Sequence, residues 1–374
     1  MLKTGKDIAI EPQDVFCPTI ECAATGQINK GNIRYHSRTP LRYRCQVCRH
    51  TFTERAGTLF HRRRVEPERI VEVVTLVAYG CPIPAIQAAM GYGRATVSEW
   101  AEAAGLHSLS VDRVLVEQQR DLQQVQVDEI RVVTQRGVVW LAMALMVSTR
   151  LWLGAATSPL RDRNLIRELA ALVWRCAIMA PLLVVSDGLA SYPTAFAGQF
   201  RTIQGGTGGR GRRIAWPDLV IAQVVKQYQG YGVTGTLHRL VQGSVEMFLT
   251  LLWQTAHCCV LNTAFIERFN GTMRSRLSGL ARRTHGYARH HGKLHTSVYL
   301  MGTVYNFCTF HTSLRTPSQQ RTPAMAAGIT TERWTLLRLL TYRVPPPRWS
   351  PPPKRGRRSR HIQALIDRWC PDHR

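Results

Sequence analysis

Glu267 stands alone in a basic stretch. In Asn262-Thr-Ala-Phe-Ile-Glu-Arg-Phe-Asn-Gly-Thr-Met-Arg274 it is the single acid between Glu246 and Glu332, and Arg268, Arg274, Arg276, Arg282, Arg283, Arg289 and Lys293 surround it in the chain. A helix face that served only solubility would mix its charges at i,i+4 spacing. One carboxylate kept within a phosphate-attracting field suits metal-dependent chemistry on nucleic acid, in which carboxylates hold the metal while Arg and Lys hold the substrate. The other acids between Asp128 and Glu332 are few: Asp128, Glu129, Asp162, Glu168, Asp187, Asp218 and Glu246. Asp128 in VQVDEI and Asp187 in LLVVSDG end apolar runs. A carboxylate at the end of a buried strand is costly unless a cation compensates it, and a divalent metal does so most strongly. Neighbouring strands lie about 4.8 Å apart, so two such carboxylates can bridge metals roughly 3.5–4 Å apart. Glu267 on a later helix would complete the site. Alternation alone does not choose between Asp128 and Glu129, which point to opposite faces, and Asp187 also reads as a cap for a helix starting at Leu189.

Four of the ten cysteines form a second constellation. Cys17 and Cys22 make a C-x4-C knuckle, and Cys45 and Cys48 make a C-x2-C knuckle after a strand-like excursion through Ile33, Tyr35, Leu41 and Tyr43. Two knuckles can place four thiolates tetrahedrally around Zn²⁺, and a module too small for a full core needs that metal to fold. Cys81, Cys176, Cys258, Cys259, Cys308 and Cys370 lack such spacing and read as small core or surface residues. The ribbon carries Arg34, Arg38, Arg42, Arg44, Arg49, Arg55 and Arg62 to Arg64 against the single acid Glu54, so phosphate contact is expected.

The elements that must position these groups follow from periodicity. Pro67 suits a first helical turn, with Ile70, Val73, Val74 and Val77 on one face. A short helix over Pro82 to Met90, a Gly91-Tyr-Gly93 turn and a second helix over Arg94 to Ala104 make a helix-turn-helix candidate. In it Arg94, Thr96, Ser98 and Glu99 would face a DNA groove; a plain helical hairpin has the same pattern. Asp112 to Gln124 reads as a polar helix or linker. Val125–Ile130, Val138–Ser148 and Arg150–Thr157 then read as three strands close enough for an antiparallel meander. A helix capped by Asp162 spans Arg163 to Cys176, followed by a fully apolar strand over Leu182 to Ser186 and a helix over Leu189 to Phe200. This order is that of an RNase H-like fold, although other mixed sheets fit it. Gln204 to Arg213 is a basic glycine-rich loop without the ending of a P-loop. Leu219–Val225 and Val233–Val241 read as further strands, and Val245–Trp253 as a helix.

The whole chain is consistent with such a partner. Its 374 residues carry a formal charge of +25, and the pI is about 10.5, which points to a polyanion, with nucleic acid the default. Hydrophobic residues make up 45% of the composition, as in folded domains of enzyme size. The N-terminal MLKTGKDIAIEPQDVF has no apolar core of signal-peptide length, and Val138 to Val147 is too short to span a bilayer. A cytoplasmic protein with no membrane contact is expected, its cysteines reduced or metal-bound.

Asp128, Asp187 and Glu267, in this order of elements, resemble the acidic triad of DDE transposases. NTAFIERFNGTMR followed by Leu280-Ala-Arg-Arg-Thr284 resembles the insertion-sequence-one group, which also carries an N-terminal zinc ribbon and helix-turn-helix. The resemblance runs from Cys17 to about Leu340. It selects Asp128 over Glu129, and it implies two-metal phosphoryl transfer with Mg²⁺ (or Mn²⁺) held by Asp128, Asp187 and Glu267. Arg274, two turns beyond Glu267, would hold a terminal phosphate. Arg268, Asn270, Arg282 and Arg283 join the expected DNA contacts, and Asn262 is expected to cap the helix. Gly271 departs from the pattern, where Leu is usual, at a cost to the helix of about 1 kcal/mol. None of the thirteen histidines is required for chemistry.

The expected organisation is therefore multi-domain α+β: a zinc ribbon over 1–64, a helix-turn-helix over 65–110, an RNase H-like mixed α/β catalytic domain over 120–340, and a Pro-rich linker with a basic tail over 341–374. The expected protein is a nucleoid-associated, prokaryotic DNA transposase. It would act as a homo-oligomer on double-stranded DNA, both the terminal inverted repeats of its element and the target. A structure-directed nuclease and a catalytically inert DNA-binding regulator are the competing readings.

Overall fold

A computed structural model of the protein describes residues 10–204, 211–230, 232–256, 260–280, 291–353, 356 and 358–370. The chain divides into two compact units, Met1–Pro67 together with Leu340–Arg374, and Glu68–Leu339. Both helices and strands are present, the larger sheet is mixed, and a cysteine cluster lies near the N-terminus.

In the first unit, β1 (Ile33–Arg38), β2 (Leu41–Cys45) and β3 (Thr51–Thr53) form an antiparallel sheet in that order. The register sets Tyr35 opposite Tyr43 and Tyr43 opposite Phe52. Their rings stack in a cross-strand row with centroids 5.8 and 5.9 Å apart. The apolar core is small, and the C-terminal segment completes it. Val344 N donates to Gly57 O at 3.0 Å. A helix over Arg360–Trp369, capped by Ser359 Oγ accepting from Ile362 N, buries Trp369 among Tyr43, Phe52 and the cysteines. The described part of the segment expected as a linker and tail thus belongs to this first unit. Ile362, Leu365, Ile366 and Trp369 supply a helical stripe that the surrounding Pro and Arg obscure in the sequence.

The second unit begins with α1 (Pro67–Ala78), α2 (Ile83–Met90) and α3 (Arg94–Leu115). Gly91 closes α2 in the left-handed conformation at φ 74°. The third helix runs well beyond the expected Ala104, because its later part has a partner. Gly105 packs so closely on α8 (His291–Thr303) that a Cβ there would lie 2.3 Å from Thr296 O. The helical segment and the sheet consequently share one compact unit.

The sheet contains β4 (Gln124–Thr134), β5 (Gly137–Met146), β6 (Trp152–Ser158), β7 (Leu182–Asp187), β10 (Leu219–Gln229) and β11 (Gly232–Gln242). Their order is β11-β10-β7-β4-β5-β6, with β7 parallel to both β4 and β10 and the other pairs antiparallel. Helix α4 (Arg163–Cys176), capped by Asp162 accepting from Leu165 N at 3.0 Å, joins β6 to β7. Between β7 and β10 lie α5 (Ser191–Gln199) and a hairpin that the sequence reading missed, β8 (Arg201–Gln204) with β9 (Arg212–Ala215). The hairpin flanks the glycine-rich loop, whose central residues 205–210 lie outside the described residues. Helices α6 (Val245–Ala256) and α7 (Ala264–Arg276) follow β11. Leu251 and Leu252 of α6, with Leu261, pack on Leu183, Val185 and Ala222, so they cover the face that also bears Asp187.

Among the described residues, no helix is long and apolar enough to cross a membrane.

Candidate active site and metal centre

Register places two carboxylates side by side. Gln126 of β4 pairs with Val185 of β7 in parallel, and no pairing extends further. Asp128 and Asp187 each come two residues later, on the same face, where the strands part. On the other side of β7, Val224 of β10 pairs with Asp187, and Lys226 follows on that face. An open cleft of about 450 Å³ lies at these strand ends, lined by Asp128, Arg161, Asp187, Lys226, Thr263 and Glu267 among others.

Asp128 is the most constrained of the acids. Its Oδ2 accepts from Asn270 Nδ2 at 2.7 Å and its Oδ1 from Glu129 N at 2.9 Å. Burial, followed by the charges of Glu129 and Asp187, pushes its carboxyl up to about 7, above the ordinary carboxylate range. Asp187 Oδ1 accepts from Leu189 N at 3.0 Å and so closes the turn after β7, but it does not cap a helix, because α5 starts at Ser191 with Ala190 at its N-cap. The other oxygen faces Arg161 Nη2 at 3.6 Å. Glu129 is buried, and it accepts from Arg161 Nε at 2.7 Å and from Tyr192 Oη at 2.5 Å. Desolvation, together with this acidic neighbourhood, raises the Tyr192 phenol.

Glu267 lines the cleft without joining the closest group. Carboxylate oxygens of Asp128, Glu129 and Asp187 lie within 4.8 Å of one another. Glu267 is instead ion-paired with Lys226 Nζ at 2.7 Å and accepts from Thr263 Oγ1 at 3.0 Å. Its side chain is 46% exposed.

Two buried glutamines hold the frame. Gln126 Oε1 accepts from both Phe265 N and Ile266 N at 3.0 Å, and Gln126 Nε2 donates to Asn262 O at 2.7 Å. A β4 side chain therefore caps α7, in place of the expected Asn262. Asn262 Oδ1 accepts only the Ala264 N–H, at 3.0 Å, and the N-cap position itself is Thr263. Gln223 Nε2 donates to Asp187 O at 2.8 Å and Leu189 O at 3.1 Å, fixing the loop after β7. Polar residues at alternate positions of an apolar strand, Gln126 and Asp128, were the available signal for the first of these. Lys226 and Arg161 carried none, since their roles depend on register and on a loop return.

The expected DNA contacts fall in different places. Arg94 is exposed and Thr96 and Ser98 half-buried at the start of α3. Asn270 is 1% exposed and serves Asp128, so it is unavailable to solvent-borne DNA. Arg268 is exposed, turned about 100° around α7 from Glu267, and lines a different cleft. Arg274 is half-buried and lines neither this cleft nor the one beside Arg268. Arg282, Arg283, Cys258, Cys259, His285 and His290 lie outside the described residues.

The cysteine cluster is compact. Sγ atoms of Cys17, Cys22, Cys45 and Cys48 lie within 4.8 Å of one another, with Cys17–Cys48 at 3.6 Å and Cys22–Cys45 at 3.8 Å. A tetrahedron with 2.3 Å metal–sulfur bonds has edges of about 3.8 Å, so the four fit one tetrahedral ion and are too far apart for disulfides. Asn32 Nδ2 donates weakly to Cys45 Sγ at 3.9 Å. Hydrogen bonds from Cys17 and Cys22 pull the Cys45 thiol down, while bonds to Cys17 and Cys45 push Cys22 up.

No protein-family model and no curated protein matches this chain.

Proposed function

We propose that this protein is a DDE-type DNA transposase, a divalent-metal-dependent polynucleotidyl transferase that binds the ends of its element, cleaves them and joins them to target DNA. The observation that carries the reading is the parallel register of Gln126 with Val185, which brings Asp128 and Asp187 together at the open end of two diverging strands facing Glu267. The strand sequence β6-β5-β4-β7-β10, an antiparallel meander followed by two parallel strands, supports an RNase H-like assignment for this sheet.

The donor set suits Mg²⁺ or Mn²⁺, which take hard oxygen ligands. Asp128 and Asp187 would hold the metal, and Glu267 would join after exchanging its Lys226 partner for the ion. Bound metal supplies activation of an attacking hydroxyl and stabilisation of the leaving oxygen. Asn270 fixes the rotamer of Asp128, and Arg161 neutralises Glu129 so that Asp128 is not left beside two unpaired acids. The four cysteines would hold Zn²⁺ in a ribbon, α2 and α3 would form a helix-turn-helix presenting Arg94, Thr96 and Ser98, and pairing of two ends requires a homo-oligomer. The formal charge of +25 supports a DNA partner.

The test is incubation with labelled element ends and a plasmid target in Mg²⁺. Joined products from the wild type and none from Glu267→Gln are expected. Cleavage without joining would instead identify a structure-directed nuclease, and tight binding with neither product a regulator.

A further inference from the structure

A second cleft, of about 310 Å³, opens on the other face of α7. Phe265, Arg268 and Arg276 line it from the helix, Arg150 from the β5–β6 turn, and Tyr305 and His311 from the segment after α8. No carboxylate is among its lining residues. Arg150 Nη1 and Arg276 Nη1 are buried and have no hydrogen-bond acceptor among the described residues. A buried cationic donor without an acceptor is costly, and two around one cavity mark a place for an anion.

The backbone agrees. Arg150 sits at φ 58°, in the left-handed region, where a turn favours Gly or Asn over a larger side chain. Its guanidinium is held over the Phe265 ring at 3.7 Å, which aims it while leaving its edge for a ligand. Arg276 is likewise steadied over Tyr79 at 4.8 Å. Ser313 Oγ lies 2.9 Å from His311 Nδ1 and orients that ring at the cleft.

We propose that this cleft binds a phosphate of a single nucleic-acid strand, held by Arg150 and Arg276, with the adjoining nucleotide against the aromatic wall. Planar guanidinium groups match phosphate oxygens in pairs, and aromatic faces accept any base. The volume suits one nucleotide unit rather than a duplex. The proposal does not rest on the carboxylate cleft being catalytic.

The test uses the full chain and a short fluorescent single-stranded oligonucleotide, followed by anisotropy at about 200 mM salt, where nonspecific attraction is weak. Arg150→Gln and Arg276→Gln should each weaken binding roughly tenfold, while Arg163→Gln, which removes the same charge from an exposed position on α4, should change it less than about twofold. Melting temperatures check folding, and the exposed Arg268→Gln replaces Arg150→Gln if that variant does not fold. Equal losses in all variants would reduce the effect to bulk charge and overturn the site. If inorganic phosphate raises the melting temperature of the wild type but not of Arg276→Gln, while oligonucleotide affinity is the same in both, the cleft takes free phosphate and the strand proposal fails.

Discussion

Asn270 on α7, itself buried, donates to Asp128 on β4 across a sequence separation of 142 residues, at 2.7 Å. A residue that sequence context assigns to DNA is thereby a positioning group for the carboxylate. Asn270→Leu should leave duplex affinity within about twofold, since no phosphate contact is lost, yet lower Mg²⁺-dependent strand joining more than roughly tenfold through a misplaced Asp128. Gel shifts and joining assays on one preparation separate the two; a parallel fall in both would return Asn270 to the DNA surface.

Gln126 accepts two N–H groups of the first turn of α7 and donates to the chain just before it. Gln126→Leu keeps the shape and leaves those backbone groups without partners, at a cost of about 3 kcal/mol or more. Denaturant titration measures this directly, and a loss below about 0.5 kcal/mol would mean the helix start finds other partners.

Metal analysis of purified protein should find about one zinc per chain. Cys22→Ser should lose it, whereas Cys81→Ser, whose thiol lies outside the cluster, should not. Chelation should expose Trp369, packed among the cysteines, to quenchers of tryptophan fluorescence. Four reduced thiols with no bound metal would rule the assignment out.

Burial holds the His107 imidazole down at about 4, against 6.5 for a free one, with its Nε2 3.1 Å from Leu339 O. The folded state then binds fewer protons than the unfolded state between these values. Stability from this group is complete above pH 6.5 and declines as pH falls toward 4, by about 2 kcal/mol at pH 5. Unfolding free energies at pH 7.5 and 5 should therefore fall more steeply in the wild type than in His107→Gln. Identical slopes would contradict it.

Gly271 lies mid-helix in α7, exposed, and a Cβ there would meet nothing within 4 Å. Gly271→Ala should accordingly stabilise the protein by about 0.5–1 kcal/mol, seen as a higher melting temperature. A lower one would mean that the helix uses glycine's freedom.

The sequence by itself determined the elements and the chemistry available to them. Apolar runs separated by short polar gaps set out β4, β5, β6 and β7, the Asp162 cap began α4, and the paired knuckles marked the cysteine cluster. It left β8 and β9 unseen, because short polar strands beside a glycine-rich loop have no apolar alternation. It also left open whether Asp128 or Glu129 faces the cleft, since alternation assigns two faces without saying what covers each. Tertiary structure decided that: Asp128 lines the cleft and takes Asn270 from α7, while Glu129 is buried and takes Tyr192 from α5. Tertiary structure alone also paired Glu267 with Lys226 and packed Trp369 of the C-terminal segment into the core around the cysteines. Each of these depends on groups far apart in the chain meeting through strand register or packing, and neither local propensity nor charge spacing contains that information.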